Sequence, residues 1–89
     1  AETIARTLSI IKVAAGNGKR EDVMRISELM GARIVDVTRS TLTLEFADTI
    51  ERTETLETLL KPYGVKEIVR TGIIALEKGP NALRPTKRE

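Results

Sequence analysis

Eighty-nine residues suffice for one small domain and are too few for two cores. Apolar residues make up 40% of the chain and charged residues 31%, a balance that supports a small core and leaves no run long enough to cross a bilayer. Fifteen Lys and Arg against 13 Asp and Glu give a net charge of +2 with the signs interspersed, so charge alone does not argue for nucleic acid. The absence of Cys and His removes disulfides, thiolate or imidazole zinc ligands, a Cys nucleophile and an imidazole base. Any metal site would have to be built from carboxylates alone. The chain opens at Ala1 without a leader-like stretch, so a processed or excised product is expected.

The run Thr7 to Ala14 is aliphatic and β-branched and predicts a strand, closed by Gly16-Asn17-Gly18. From Lys19 to Met30 the apolar residues Val23, Ile26, Leu29 and Met30 keep the spacing of one helical face, and Gly31 can cap the helix in the left-handed region. Two short strands follow, Ala32 to Thr38 and Thr41 to Ala47, joined at Arg39-Ser40 as a hairpin. Asp48 predicts an N-cap, with Glu51 completing a capping box, for a helix whose apolar face is Ile50, Leu56, Leu59 and Leu60. Pro62 and Gly64 end that helix. Val65 to Leu76 reads as one long final strand, with Gly72 at a bulge or close approach. The segment 80–89 reads as a flexible basic tail behind a domain over 1–79.

The order β-α-β-β-α-β with right-handed crossovers predicts a ferredoxin-like α+β sandwich, a four-stranded antiparallel sheet with both helices on one face. One sheet face should then be bare, with apolar residues only at alternate strand positions. Three strands break that rule. Leu8 and Ile10 oppose Ile11 and Val13; Ile34 opposes Val35 and Val37; Ile68, Ile74 and Leu76 oppose Val69 and Ile73. Something is therefore expected to cover the bare face, and a second copy of the chain or a neighbouring domain or subunit would do so.

Other candidate sites carry less. Gly16 to Arg20 joins a strand to a helix but lacks the phosphate-loop spacing, and reads as an ordinary connection. Asp36, in an apolar strand, needs either a partner such as Arg70 or an exposed register. RNA-binding domains of this topology stack bases on strand aromatics, whereas this chain has one Phe and one Tyr. Phe46 shares a face with Leu42 and Leu44 and belongs to the core; Tyr63 packs at the end of the second helix. Neither nucleic acid nor membrane is expected as a partner.

The runs Ala32 to Thr38 and Thr41 to Glu45 resemble the middle of the carboxy-terminal domain of acetolactate synthase small, regulatory subunits. Leu60-Lys61-Pro62-Tyr63-Gly64 through Glu67-Ile68-Val69-Arg70-Thr71-Gly72, and on to Gly79, is similar to the end of that domain, and Arg6 to Val13 to its opening strand. The resemblance implies a non-catalytic domain that helps the subunit dimerise and activate a catalytic subunit. That partner, rather than this chain, would hold thiamine diphosphate, magnesium and FAD, so no cofactor is expected here. It also implies a cytoplasmic setting, or a plastid in a plant. The alternative is a stand-alone ACT-like domain that binds a small effector. Arg70, Thr71, Gly72 and Ile73 are the candidate partner contacts.

Overall fold

A computed structural model of the chain describes residues 2–80, so nearly all of the expected basic tail lies outside the described residues. The first strand is longer than its aliphatic run, spanning Thr3–Ala14 (β1). Helix α1 covers Arg20–Met30 and ends, as the sequence indicates, at Gly31, whose φ of 84° is left-handed and whose amide reaches the Ser27 and Glu28 carbonyls. Strands β2 (Arg33–Val37) and β3 (Thr41–Asp48) form the hairpin. Its turn is fastened twice: the Thr38 and Thr41 hydroxyls lie 2.6 Å apart, and the Arg20 guanidinium donates to the Thr38 and Arg39 carbonyls.

Helix α2 covers Ile50–Leu60, but its N-cap is Thr49 and not Asp48. The Thr49 hydroxyl accepts from the Arg52 amide, the third residue in, while the Asp48 carboxylate accepts from the Thr49 amide and from Arg52 Nε. Glu51 therefore plays no part in a capping box. A 3-10 turn at Lys61–Tyr63 leads through Gly64, at a φ of 100°, into β4 (Val65–Arg70). A larger residue at Gly64 would be strained by that φ, while its Cβ would sit in ordinary contact with the Ala14 methyl at 3.5 Å.

The expected long final strand is two strands, β4 and β5 (Ile74–Glu77), so the sheet has five strands where four were predicted. The main order is β2-β3-β1-β4, antiparallel throughout, with β5 pairing the outer end of β1. Both helices lie on one face, as in a ferredoxin-like α+β domain. Ile11, Val13, Leu42, Leu44 and Phe46 from the sheet meet Val23, Leu56 and Leu60 from the helices in the core. The helical faces are narrower than the apolar spacing implies. α1 buries Val23 and Ser27 and leaves Leu29 exposed; α2 buries Thr53, Leu56 and Leu60 and leaves Ile50 and Leu59 outside. Among the described residues no helix is long and apolar enough to cross a membrane.

β1 is twelve residues long, about 40 Å of extended chain. Only its Thr7–Ala14 portion pairs with β3, and residues Thr3 to Arg6 project with β5 as a two-stranded arm. The described chain accordingly extends 52 × 25 × 17 Å.

Candidate functional site: the bare face of the sheet

Alternation along β1 decides what each face shows. Thr7, Ser9, Ile11 and Val13 point to the helices and are buried, so Leu8, Ile10 and Lys12 point away. Cross-strand partners share a face, which places Ala47, Glu45 and Thr43 of β3 and Val69 and Glu67 of β4 on the bare side. Lys12 pairs with Glu67 at 3.7 Å and Arg33 with Glu45 at 4.0 Å, so that end of the face is charged. Toward the arm it turns apolar, through Ile10, Val69 and half-buried Leu8.

The break between β4 and β5 extends this apolar strip. Arg70 lies opposite Ser9 and Ile74 opposite Arg6, so the last strand takes four steps where β1 takes three. The extra residue, at Thr71-Gly72-Ile73, is a bulge, and one extra residue reverses the facing of everything beyond it. Ile74 and Leu76 would otherwise join Ile68 on the helix side, as the sequence alternation implies. Instead they stand opposite Arg6 and Ile4 on the same side as Ile10 and Val69. The strip then runs Ile4, Leu76, Ile74, Leu8, Ile10, Val69, with exposures of 37% at Ile4, 44% at Ile10, 58% at Val69, 63% at Leu76 and 68% at Ile74. Covering each of those five is worth about 1 kcal/mol, half the value of a fully buried aliphatic side chain.

The four candidate contact residues occupy distinct places. The Arg70 side chain is turned toward α2, where it holds Glu57 with both Nη2–O distances at 2.6 Å and Nε–Oε2 at 3.1 Å. Glu57, by hydrogen bonding first and then by charge, raises the Arg70 pKa, with a smaller contribution from Glu54. Arg70 thus ties the edge strand to the helix, and Asp36 has no call on it; Asp36 takes the exposed register opposite Thr43. Thr71 clamps the bulge: its amide donates to the Leu8 carbonyl at 2.9 Å, its hydroxyl accepts from the Leu8 amide at 3.0 Å, and its carbonyl accepts from the Thr7 hydroxyl at 3.1 Å. Gly72 has open space around it, so it serves the bulge and no close approach. Ile73, at 58%, is exposed beside the strip.

Ile4 escaped the sequence reading. Thr3 and Ile4 are β-branched and nothing breaks the chain before Thr7, a signal that extends the strand backward.

A second cluster fixes the body under this face. Burial works against the Asp48 carboxylate, but the Thr49 amide and then the hydrogen bond and charge of Arg52 outweigh it and hold its pKa below the ordinary value. Arg52 also donates to the Met30 carbonyl at 2.7 Å, joining the end of α1 to the start of α2, and lies 6.0 Å from the Phe46 ring centroid.

These features define a ferredoxin-like domain with an exposed aliphatic strip along its uncovered sheet face. A family model described as the small subunit of acetolactate synthase matches residues 6–79, and the chain belongs to that family. It is 37% identical over 81 residues to the acetolactate synthase small subunit of Mycobacterium leprae, covering 91% of this chain and 48% of the relative. Against the chloroplastic acetolactate synthase small subunit 2 of Arabidopsis thaliana it is 41% identical over 71 residues, 80% of this chain and 15% of the relative. The crystal structure of the small subunit from Thermotoga maritima superposes with a TM-score of 0.82 at 26% identity, covering 89% of this chain and 48% of that one. The chain therefore spans about half the length of the bacterial relatives it matches.

Proposed function

We propose that this domain is a non-catalytic regulatory and interaction domain of an acetolactate synthase small subunit, which helps that subunit dimerise and activates the catalytic subunit in branched-chain amino-acid synthesis. Family membership supports the setting, and the aliphatic strip from Ile4 to Val69 carries the contact role. A second copy laid face to face by a twofold axis would set strip against strip, since a symmetric interface uses the same patch on both chains. Each chain then covers its own five exposed aliphatics and its partner's, about 10 kcal/mol in total before the entropy of association is subtracted.

Activation follows from differential binding: a domain that contacts the active arrangement of the catalytic subunit better than the inactive one shifts the equilibrium toward activity. Thiamine chemistry stays with the catalytic subunit; this chain supplies contacts and takes no chemical step. The setting is the bacterial cytoplasm or, in a plant, the plastid. The test is a pull-down with an acetolactate synthase catalytic subunit, followed by an acetolactate assay with and without valine. Binding with a rate increase that valine does not alter is expected of this domain alone. No binding and no rate change would overturn the proposal.

A further inference from the structure

Thr71 takes over a bond that the backbone gives up. In a regular antiparallel ladder, facing residues of a hydrogen-bonded pair exchange both of their backbone bonds. Thr71 continues the Ser9–Arg70 register opposite Leu8, and one bond of that exchange is present: the Thr71 amide donates to the Leu8 carbonyl at 2.9 Å. The return bond does not go to the Thr71 carbonyl, which accepts from the buried Thr7 hydroxyl instead. The Leu8 amide donates to the Thr71 hydroxyl, and that hydroxyl donates in turn to the Gly72 carbonyl at 2.8 Å. A side-chain oxygen thus closes the ladder at the point where the extra residue enters the strand.

Antiparallel pairing offers β5 two phases. With the extra residue held out of the ladder, Ile74 stands opposite Arg6 and Leu76 opposite Ile4, as observed. With the Thr71 carbonyl returned to the Leu8 amide, the ladder would run on without a bulge, placing Ile73 opposite Arg6 and Ile74 opposite Ala5, and Ile74 and Leu76 would leave the bare face. Packing chooses weakly between the two, since Ile73, Ile74 and Leu76 are all more than half exposed. We infer that the Thr71 hydroxyl selects the phase: it serves the Leu8 amide only with the bulge in place, and so decides whether Ile74 and Leu76 join the strip on the bare face. Thr71 is a positioning residue, acting through those two side chains. Its consequence for the pairing of copies rests on the contact role proposed above; the phase itself does not.

Nuclear magnetic resonance of the 89-residue chain reads the phase directly, because a non-hydrogen-bonded antiparallel pair brings its Cα atoms within about 4.5 Å. Ala5 and Ala75 form such a pair, since the Lys78 amide bonds to the Glu2 carbonyl three residues further along the arm. The parent and Thr71→Ser, which keeps the hydroxyl, should show the Ala5–Ala75 α-proton contact. Thr71→Val, similar in shape but without the hydroxyl, should show Ala5–Ile74 in its place. Deleting Gly72 as well removes the extra residue, so the double variant should regain Ala5–Ala75 with no hydroxyl needed. In light scattering, Thr71→Val should pair with itself at least about tenfold more weakly than the parent, and the double variant should recover. A Thr71→Val chain that keeps Ala5–Ala75 would overturn the inference, and so would one with neither contact, in which Thr71 merely fastens the arm. A slipped phase with unaltered pairing would leave the phase selection standing and overturn the contact role of the strip.

Discussion

One strand belongs to two different environments. From Thr7 to Ala14, β1 lies under the helices, and its inward residues Ile11 and Val13 are fully buried between β3 and β4. From Thr3 to Arg6 it pairs only with β5 among the described residues, and its aliphatic neighbours Ile74 and Leu76 are about two-thirds exposed. The body has its own core. A two-stranded ribbon has too little to bury in water to be stable by itself, so the arm's aliphatics contribute to stability only when something covers them. The same residue types are thus buried at one end of the strand and left exposed at the other.

The sharpest way to break that comparison is to truncate one leucine at each end. Leu44→Ala, which empties the core beside Ile11, should cost about 2–5 kcal/mol in urea unfolding. Leu76→Ala should cost no more than about 0.5 kcal/mol in dilute protein. Equal losses would make the arm part of the body.

Next in size is the tie between the helices. Arg52→Met removes the Asp48 pair and the bond to the Met30 carbonyl and should lower stability by about 1 kcal/mol, with the β1–β5 arm unaffected in exchange measurements. Asp48 adds a pH signature. Its pKa is depressed by folding, so its contribution is complete above the unfolded value near 3.8 and is lost as pH falls below that toward the folded value. Thermal melts should show Asp48→Asn less stable than the parent at pH 6, with the gap closing below about pH 4. The smallest effect concerns Ser9, whose buried hydroxyl has no hydrogen-bond partner among the described residues. Ser9→Ala should leave stability unchanged or raise it by up to about 1 kcal/mol, since it removes an unsatisfied group from the body.

The element order and the ferredoxin-like sandwich were legible because each element carries its own period and stop signal, such as the spacing of Val23, Ile26, Leu29 and Met30 ended by Gly31, or Leu42-Leu44-Phe46 alternation. What escaped is set by geometry between elements. Asp48 and Thr49 are both capping residues, and which one caps depends on where Arg52 reaches. Leu29, Ile50 and Leu59 keep helical spacing, but only packing decides how wide a stripe two short helices bury. Gly72 marked the bulge, while its effect on phase, which turns Ile74 and Leu76 to the bare face, emerges only from the register with β1. The apolar excess was therefore visible in sequence, and its gathering on one face was not.

The most direct test of the account is the mass per particle by light scattering across micromolar concentrations, for the parent chain and for Ile10→Lys with Ile74→Lys. The prediction is a parent that moves from 9.8 kDa toward twice that mass, and a variant that stays at the single-chain mass with unchanged far-ultraviolet circular dichroism. A parent that remains a single chain throughout, or a variant that still pairs, would contradict the claim that the bare face is a contact surface between copies.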